Sequence, residues 1–183
     1  RPYREEDAPS PINALGASKL AGEYLALAYH DDTQIIRTAA LYGVSACHSR
    51  DGEKNFVENI LHLARTGRPM RLIQDIITTP THAADLAGLT RQIVEHGGPG
   101  LYHATCEGWC TWYEFGRAVL EECGIRPVSG PEPVAARQFQ TPERRPGYSV
   151  LENGRIKQLG LSNLPHWREA LRHYLRLAGH LPV

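Results

Sequence analysis

One lysine stands among unusually small neighbours. In INALGASKLAGEY, residues 12–24, Lys19 is surrounded by Ala14, Gly16, Ala17, Ser18, Ala21 and Gly22. An interior glycine costs a helix about 1 kcal/mol relative to alanine. Two of them, with this much alanine, strip bulk from a helix surface and let another backbone or a flat ligand come close. Leu15, Lys19 and Gly22 lie about one turn apart and share a face. Pattern alone leaves two uses for Lys19: a solvated surface cation, or a cation at the rim of a ligand crevice.

Other chemistry-bearing residues are spread along the chain. Arg37 and Thr38 come late in an apolar run, where a charge needs a partner or a route to water. Ligands of α/β sheets gather at the carboxyl ends of strands, so Thr38 to Tyr42 are placed to line a pocket. Arg37 is equally a partner for a carboxylate at a sheet edge. Asn55 precedes an apolar-periodic run. It suits an N-cap, and a helix N-terminus also favours anions. Asp75 offers a carboxylate for a polar ligand, and Thr81 suits a cap for the helix that follows it. Arg144 and Arg145 precede Pro146; a guanidinium fork matches phosphate oxygens, which marks Arg145 as a pyrophosphate contact if it is not simply solvated. Trp109 and Trp112 flank a helix start, for core packing or for base stacking.

Composition narrows the classes. Twenty basic and twenty acidic residues cancel, which gives no basic surplus for nucleic acid or anionic lipid. No apolar run reaches the length of about 18 residues that a membrane span needs. Cys47, Cys106, Cys110 and Cys123 lack zinc-ribbon spacing, and the histidines form no His-Glu-x-x-His. Idle or buried thiols and no metal site are the expectation. The polar, proline-bearing start RPYREEDAPSP reads as a loop from the middle of a longer protein, and the lack of a signal peptide points to the cytoplasm.

The elements that must position these residues alternate helical and extended patterns, which indicates an α/β fold. Ser10 and Pro11 predict a helix start, with the helix running to about His30 behind a ridge of Leu20, Tyr24 and Leu27. TQIIRTAALYG predicts one buried strand that ends at Gly43. Residues 55–67 predict a helix with Phe56, Ile60, Leu63 and Ala64 inward, and MRLIQDII a second strand. The helix after Thr81 turns Leu86, Leu89 and Ile93 inward, and GLYHAT is a short strand. Thr111 and Glu114 form a capping box for a helix that Gly124 closes. Residues 125–148 are mostly loop. A short helix lies around Glu152–Leu159, and a last one after Pro165 buries Trp167, Leu171 and Leu175.

Six stretches, PYREEDAPSPINALGASKLAGEY, IIRTAALYG, NFVENILHLARTGRP, TTPTHAADLAG, GLYHATCEGWCTWYEFG and RRPGYSVLENGRIKQLG with PHWREALRHYL, resemble the extended short-chain dehydrogenase/reductases. Within them the likeness is to the dTDP-4-dehydrorhamnose reductase and sugar-nucleotide-binding family, in the family's order over nearly the whole chain. The resemblance implies the C-terminal part of a Rossmann-type, NAD(P)-binding fold with a small α/β substrate lobe. Residues 1–46 would be the trailing part of the dinucleotide-binding domain. Residues 47–183 would be the substrate lobe, interleaved with the last Rossmann elements at about 82–105.

The function it implies is reduction of a 4-keto sugar nucleotide by NADPH or NADH. Lys19 matches the lysine that holds the nicotinamide ribose, together with Thr38. Asn55, Arg145, Asp75 and Thr81 match sugar-nucleotide contacts. The family's proton-donating tyrosine falls at Leu15, which has no proton to give, and the tryptophan of some members falls at Ala40. No G-x-G-x-x-G is present to seat a pyrophosphate, so cofactor binding by this chain alone is not expected. Two alternatives stand beside a reductase: a non-catalytic sugar-nucleotide-binding or regulatory protein on the same fold, and a nucleotide-sugar epimerase or dehydratase. The implied partner is a nucleotide sugar, with no nucleic acid and no membrane, and a homodimer is compatible with the resemblance.

Overall fold

The structure is a computed structural model that describes residues 1–45, 54–139 and 144–182. Helix α1 (Ala14–Tyr29) starts three residues later than Ser10 and Pro11 predict, because Asn13 is its cap: Asn13 Oδ1 accepts from Gly16 N–H at 2.8 Å. Pro11 stays outside and lies over Gly16, where an added Cβ would come within 3.1 Å of it. Gly22 has open space beside it, so its smallness serves no close approach among the described residues. At the other end Thr33 Oγ1 donates to Ala26 O and His30 O, turning the chain back on itself into β1 (Gln34–Arg37).

The predicted long strand is broken. Ala40 adopts φ 44°, the one non-glycine residue in the left-handed region among those described. That region costs an L-residue about 1–2 kcal/mol. The kink separates β1 from β2 (Leu41–Tyr42) and lets the two strands take different partners. β1 pairs parallel with β6 (Gly100–His103), Gln34 opposite Gly100, and β2 pairs parallel with β5 (Thr81–His82). The MRLIQDII strand is broken likewise, into β3 (Arg71–Ile73) and β4 (Ile77–Thr78). β3 runs parallel to β8 (Glu132–Val134), and β4 antiparallel to β7 (Cys110–Thr111). Helix α3 (Ala83–His96) carries the chain from β5 to β6.

One core joins these pieces. Val57, Ile60 and Leu61 of α2 (Phe56–Arg65) are buried against Phe115, Ala118 and Val119 of α4 (Trp112–Glu122). Phe115 is central, stacked on Phe56 at 5.4 Å and edge-on to Trp167 at 5.9 Å. Helix α6 (Trp167–Leu177) buries Trp167, Ala170, Leu171, Tyr174 and Leu175, a continuous stripe at helical spacing. The capping box at Thr111 and Glu114 is present, and Gly124 follows the end of α4 at φ 64°. The short helix α5 (Gly154–Gln158) is docked by Asn153, whose side chain accepts from Thr105 N–H at 3.0 Å and donates to Thr105 O at 2.7 Å.

Three packing expectations are corrected. Helix α1 buries no residue: Leu20 is half-buried, while Tyr24, Leu25, Leu27 and Tyr29 are exposed. β1 is half-buried rather than buried, since only β6 pairs with it among the described residues. In α2 the most buried side chains are Val57, Ile60 and Leu61, with Phe56, Leu63 and Ala64 at the margin. The expected boundary at residue 46 and Cys47 both lie outside the described residues. No described helix is long and apolar enough to cross a membrane.

Candidate functional site

An open cleft of about 320 Å³ lies at the carboxyl end of β1. Arg37, Thr38 and Ala39 line it from the strand, residues 7–10 from the N-terminal segment, and Pro146 and Tyr148 from the segment that follows residue 144. Arg37 is not available to a ligand anion. It forms a two-pronged ion pair with Glu23 of α1, Nε to Oε1 at 2.8 Å and Nη2 to Oε2 at 2.6 Å, and this hydrogen-bonded pairing holds the guanidinium firmly charged. The carboxylate-partner use of Arg37 is the one the fold adopts.

That ion pair also orients the lysine helix. Glu23 is one turn after Lys19 and two turns after Leu15 on one ridge. The chain reverses between α1 and β1, so going back along α1 runs past Arg37 toward Thr38. At 1.5 Å per residue, Lys19 lies about 6 Å and Leu15 about 12 Å beyond Glu23 along the helix axis. Both are exposed, Leu15 at 61%, and neither lines the cleft itself. Arg145 reaches the same region by another route. Asn13 Nδ2 donates to Arg144 O at 2.7 Å, which ties the 144–148 segment to the first turn of α1 and leaves Arg145 exposed beside it.

His103 lies beneath this cleft at the end of β6. Burial pushes its imidazole below the ordinary value, toward the neutral form. Its Nδ1 is 3.2 Å from Glu152 O and its Nε2 has no partner. Tyr3 and Tyr148, ring centroids 5.9 Å apart, face the same opening. These three were not singled out in the sequence. The available signal was weak: a histidine at the end of a short strand, and aromatic residues in segments that read as loop.

A second cleft, of about 400 Å³, is lined by residues 41–45, Asn55 and residues 82–84. Asn55 caps α2, accepting from Glu58 N–H at 3.0 Å, while its Nδ2 donates to Gly43 O at 2.7 Å and Tyr174 Oη at 2.9 Å. Every polar atom of that side chain is engaged within the fold. Tyr174 Oη in turn donates to Glu58 Oε1 at 2.7 Å, and His180 Nε2 meets the same oxygen at 2.7 Å. Burial alone would raise the Glu58 carboxyl, but the bonds from Tyr174 and His180 outweigh it and hold it below the usual range.

The structure therefore puts Thr38 in the lining of the first cleft, leaves Lys19 and Arg145 exposed outside that lining, and puts Asn55 at another cleft. Asp75 is at neither: its carboxylate accepts from Ala136 N–H at 2.7 Å. Thr81 is fully buried and is not a helix cap, a role held by His82 without a side-chain bond. The Thr81 hydroxyl instead donates to Thr79 O and accepts from Cys106 N–H. Trp112 packs on Phe56 at 4.8 Å, as a core residue should, while Trp109 is 55% exposed. Cys106 and Cys110 are buried free thiols.

Parallel strand pairs, a helical crossover and a cleft at a strand's carboxyl end define a Rossmann-type α/β protein. The chain belongs to the RmlD substrate binding domain family, whose sequence model matches residues 1–179. It is 39% identical to the spore coat polysaccharide biosynthesis protein SpsK of Bacillus subtilis, over 96% of this chain and 58% of that one. Its fold is similar to a dTDP-4-dehydrorhamnose reductase from Clostridium acetobutylicum, with a TM-score of 0.88 at 31% identity over 98% of this chain and 60% of that one. A dTDP-4-dehydrorhamnose reductase from Bacillus anthracis, solved in complex with NADP, superposes with a TM-score of 0.87 at 29% identity, over 96% of this chain and 59% of that one. The chain thus spans somewhat less than two thirds of the length of these relatives.

Proposed function

We propose that the chain forms the sugar-nucleotide-binding part of an NAD(P)H-dependent reductase of a 4-keto sugar nucleotide, of the dTDP-4-dehydrorhamnose reductase type that serves dTDP-rhamnose synthesis. The observation that carries this reading is the cleft at the carboxyl end of β1, lined by Thr38, in a chain of this family. In this reading residues 1–46 complete a dinucleotide-binding domain, and residues 47–183 form the substrate lobe with about 82–105 returning to the sheet. The half-covered β1 and the exposed apolar side of α1 suit packing against the rest of such a domain.

Thr38, an exposed hydroxyl in the cleft lining, and Lys19, an exposed cation on α1, suit the ribose of a nicotinamide cofactor. The chain has no glycine-rich loop for the pyrophosphate, so its own affinity for NADPH or NADH is low. Bound NAD(P)H supplies a hydride for the ketone carbon. Arg145 holds the sugar nucleotide's phosphates, and Lys19 orients the cofactor through its ribose. Asn55, Asp75 and Thr81 act at one remove, since each is engaged inside the fold: Asn55 shapes the loop after β2, Asp75 the segment at Ala136, and Thr81 the β5 strand. The group missing is a proton donor at residue 15.

That leucine favours a second reading, a sugar-nucleotide-binding protein without turnover on the same fold. Two measurements separate them. Titration of dTDP and dTDP-rhamnose into the chain is expected to show binding that Arg145→Ala weakens about tenfold or more, as loss of a charge-assisted bond requires; absence of binding refutes both readings. In a hybrid carrying the N-terminal portion of the Bacillus anthracis reductase, Leu15→Tyr is expected to raise NADPH oxidation by about 10²- to 10⁴-fold. No rise selects the non-catalytic protein.

A further inference from the structure

Away from the first cleft, three side chains from two helices converge. His82 stands immediately before α3, Asp85 is in the first turn of α3, and His173 projects from α6. His82 Nδ1 is 3.1 Å from Asp85 Oδ2, and His173 Nδ1 is 3.1 Å from Asp85 Oδ1. One potential ligand atom from each residue lies within 4.8 Å of the other two. We propose that His82, Asp85 and His173 form a binding site for a divalent transition cation of the zinc class.

The donor set selects the metal. Two imidazole nitrogens and one carboxylate oxygen suit zinc and its first-row neighbours, whereas calcium and magnesium want oxygen ligands. Bonds of about 2.0–2.1 Å in a tetrahedral site put neighbouring ligand atoms about 3.3 Å apart; each Nδ1 stands 3.1 Å from a different Asp85 oxygen, and one atom from each residue lies within 4.8 Å of the others, so small side-chain shifts would bring the three to that spacing. Exposure grades from one side of the cluster to the other: the His82 side chain is 1% exposed, Asp85 15% and His173 51%. A cation would thus be anchored from within and keep its outer coordination positions open to water.

The hydrogen-bond pattern also permits it. With no cation, Asp85 takes an N–H bond from each Nδ1, and buried His82 Nε2 is an acceptor without a partner. Ligation at Nδ1 moves that proton to Nε2. The unpartnered atom becomes a donor rather than an acceptor, so binding adds no second orphan. His82 and Asp85 come from one turn and His173 from 88 residues further on, so a cation here would staple α3 to α6.

The test is titration of the chelator-stripped chain with zinc and with cobalt at neutral pH. One equivalent is expected to bind, with the visible bands of tetrahedral cobalt and without a thiolate-to-cobalt band, because no cysteine is in the set. A site of about 1 µM with hundredfold excess cation raises Tm by about 5–10 °C in a domain of this size. His173→Ala, a substitution at an exposed position, is expected to abolish that rise and to weaken binding at least tenfold; Asp85→Asn, which keeps an acceptor oxygen for the imidazoles, is expected to do the same. Absence of saturable binding, a thiolate band, or binding that survives both substitutions overturns the proposal.

Discussion

Asn55 is the residue for which the structure most changes the expected experiment. As a phosphate contact, its loss would lower ligand affinity and leave stability alone. As built, its side chain makes three bonds inside the fold. Loss of a side-chain cap costs about 1 kcal/mol, and each of the two half-buried bonds from Nδ2 adds about 0.5–1 kcal/mol. Tyr174 Oη keeps its bond to Glu58, so only Gly43 O is left without its partner from Asn55. Asn55→Ala is therefore expected to destabilise the chain by about 2–3 kcal/mol, which for a domain of this length lowers Tm by about 4–12 °C. Asn55→Ser retains a cap oxygen and recovers about 1 kcal/mol of that. Urea unfolding followed by tryptophan fluorescence measures both, since Trp112 and Trp167 pack around Phe115. A loss below about 0.5 kcal/mol in Asn55→Ala, within the range of ordinary surface changes, would refute the accounting and return Asn55 to the ligand.

Three further outcomes follow from the same geometry. Asn153→Ala unpairs the buried N–H and C=O of Thr105 and is expected to cost about 2–4 kcal/mol, read as a lower urea midpoint with an unchanged slope. The Glu58 carboxyl is depressed in the folded state, so its contribution is complete above the ordinary value of 4.5 and is lost as pH falls through the folded value. Glu58→Gln should accordingly flatten the stability profile on the acid side of that point and leave its shape unchanged above it. Burial pushes the Cys106 thiol up to about 11 and Cys110 higher still. Under native conditions iodoacetamide should modify half-buried Cys123 well before Cys106 or Cys110, as mapped by peptide mass; labelling of Cys110 first would contradict the packing of β7.

What the sequence determined by itself was set by local chemistry. The stripe of Trp167, Leu171 and Leu175 fixes how α6 faces the core, because 3.6-residue periodicity is a property of the chain alone. The Thr111 and Glu114 box begins α4, because both partners lie within one turn. The α/β alternation was legible for the same reason, and so was the family, carried by ordered runs of residues. Tertiary structure decided the rest. Whether Arg37 meets a ligand or a carboxylate depended on Glu23, fourteen residues earlier and across a reversal of the chain. Thr81 became an interior strand residue rather than a cap once β5 paired with β2. The His82, Asp85 and His173 cluster has no sequence spacing to betray it, since its third member comes from another helix. Hydrogen bonds and ion pairs act over about 3 Å, and which distant residues come that close is fixed only when helices and strands pack.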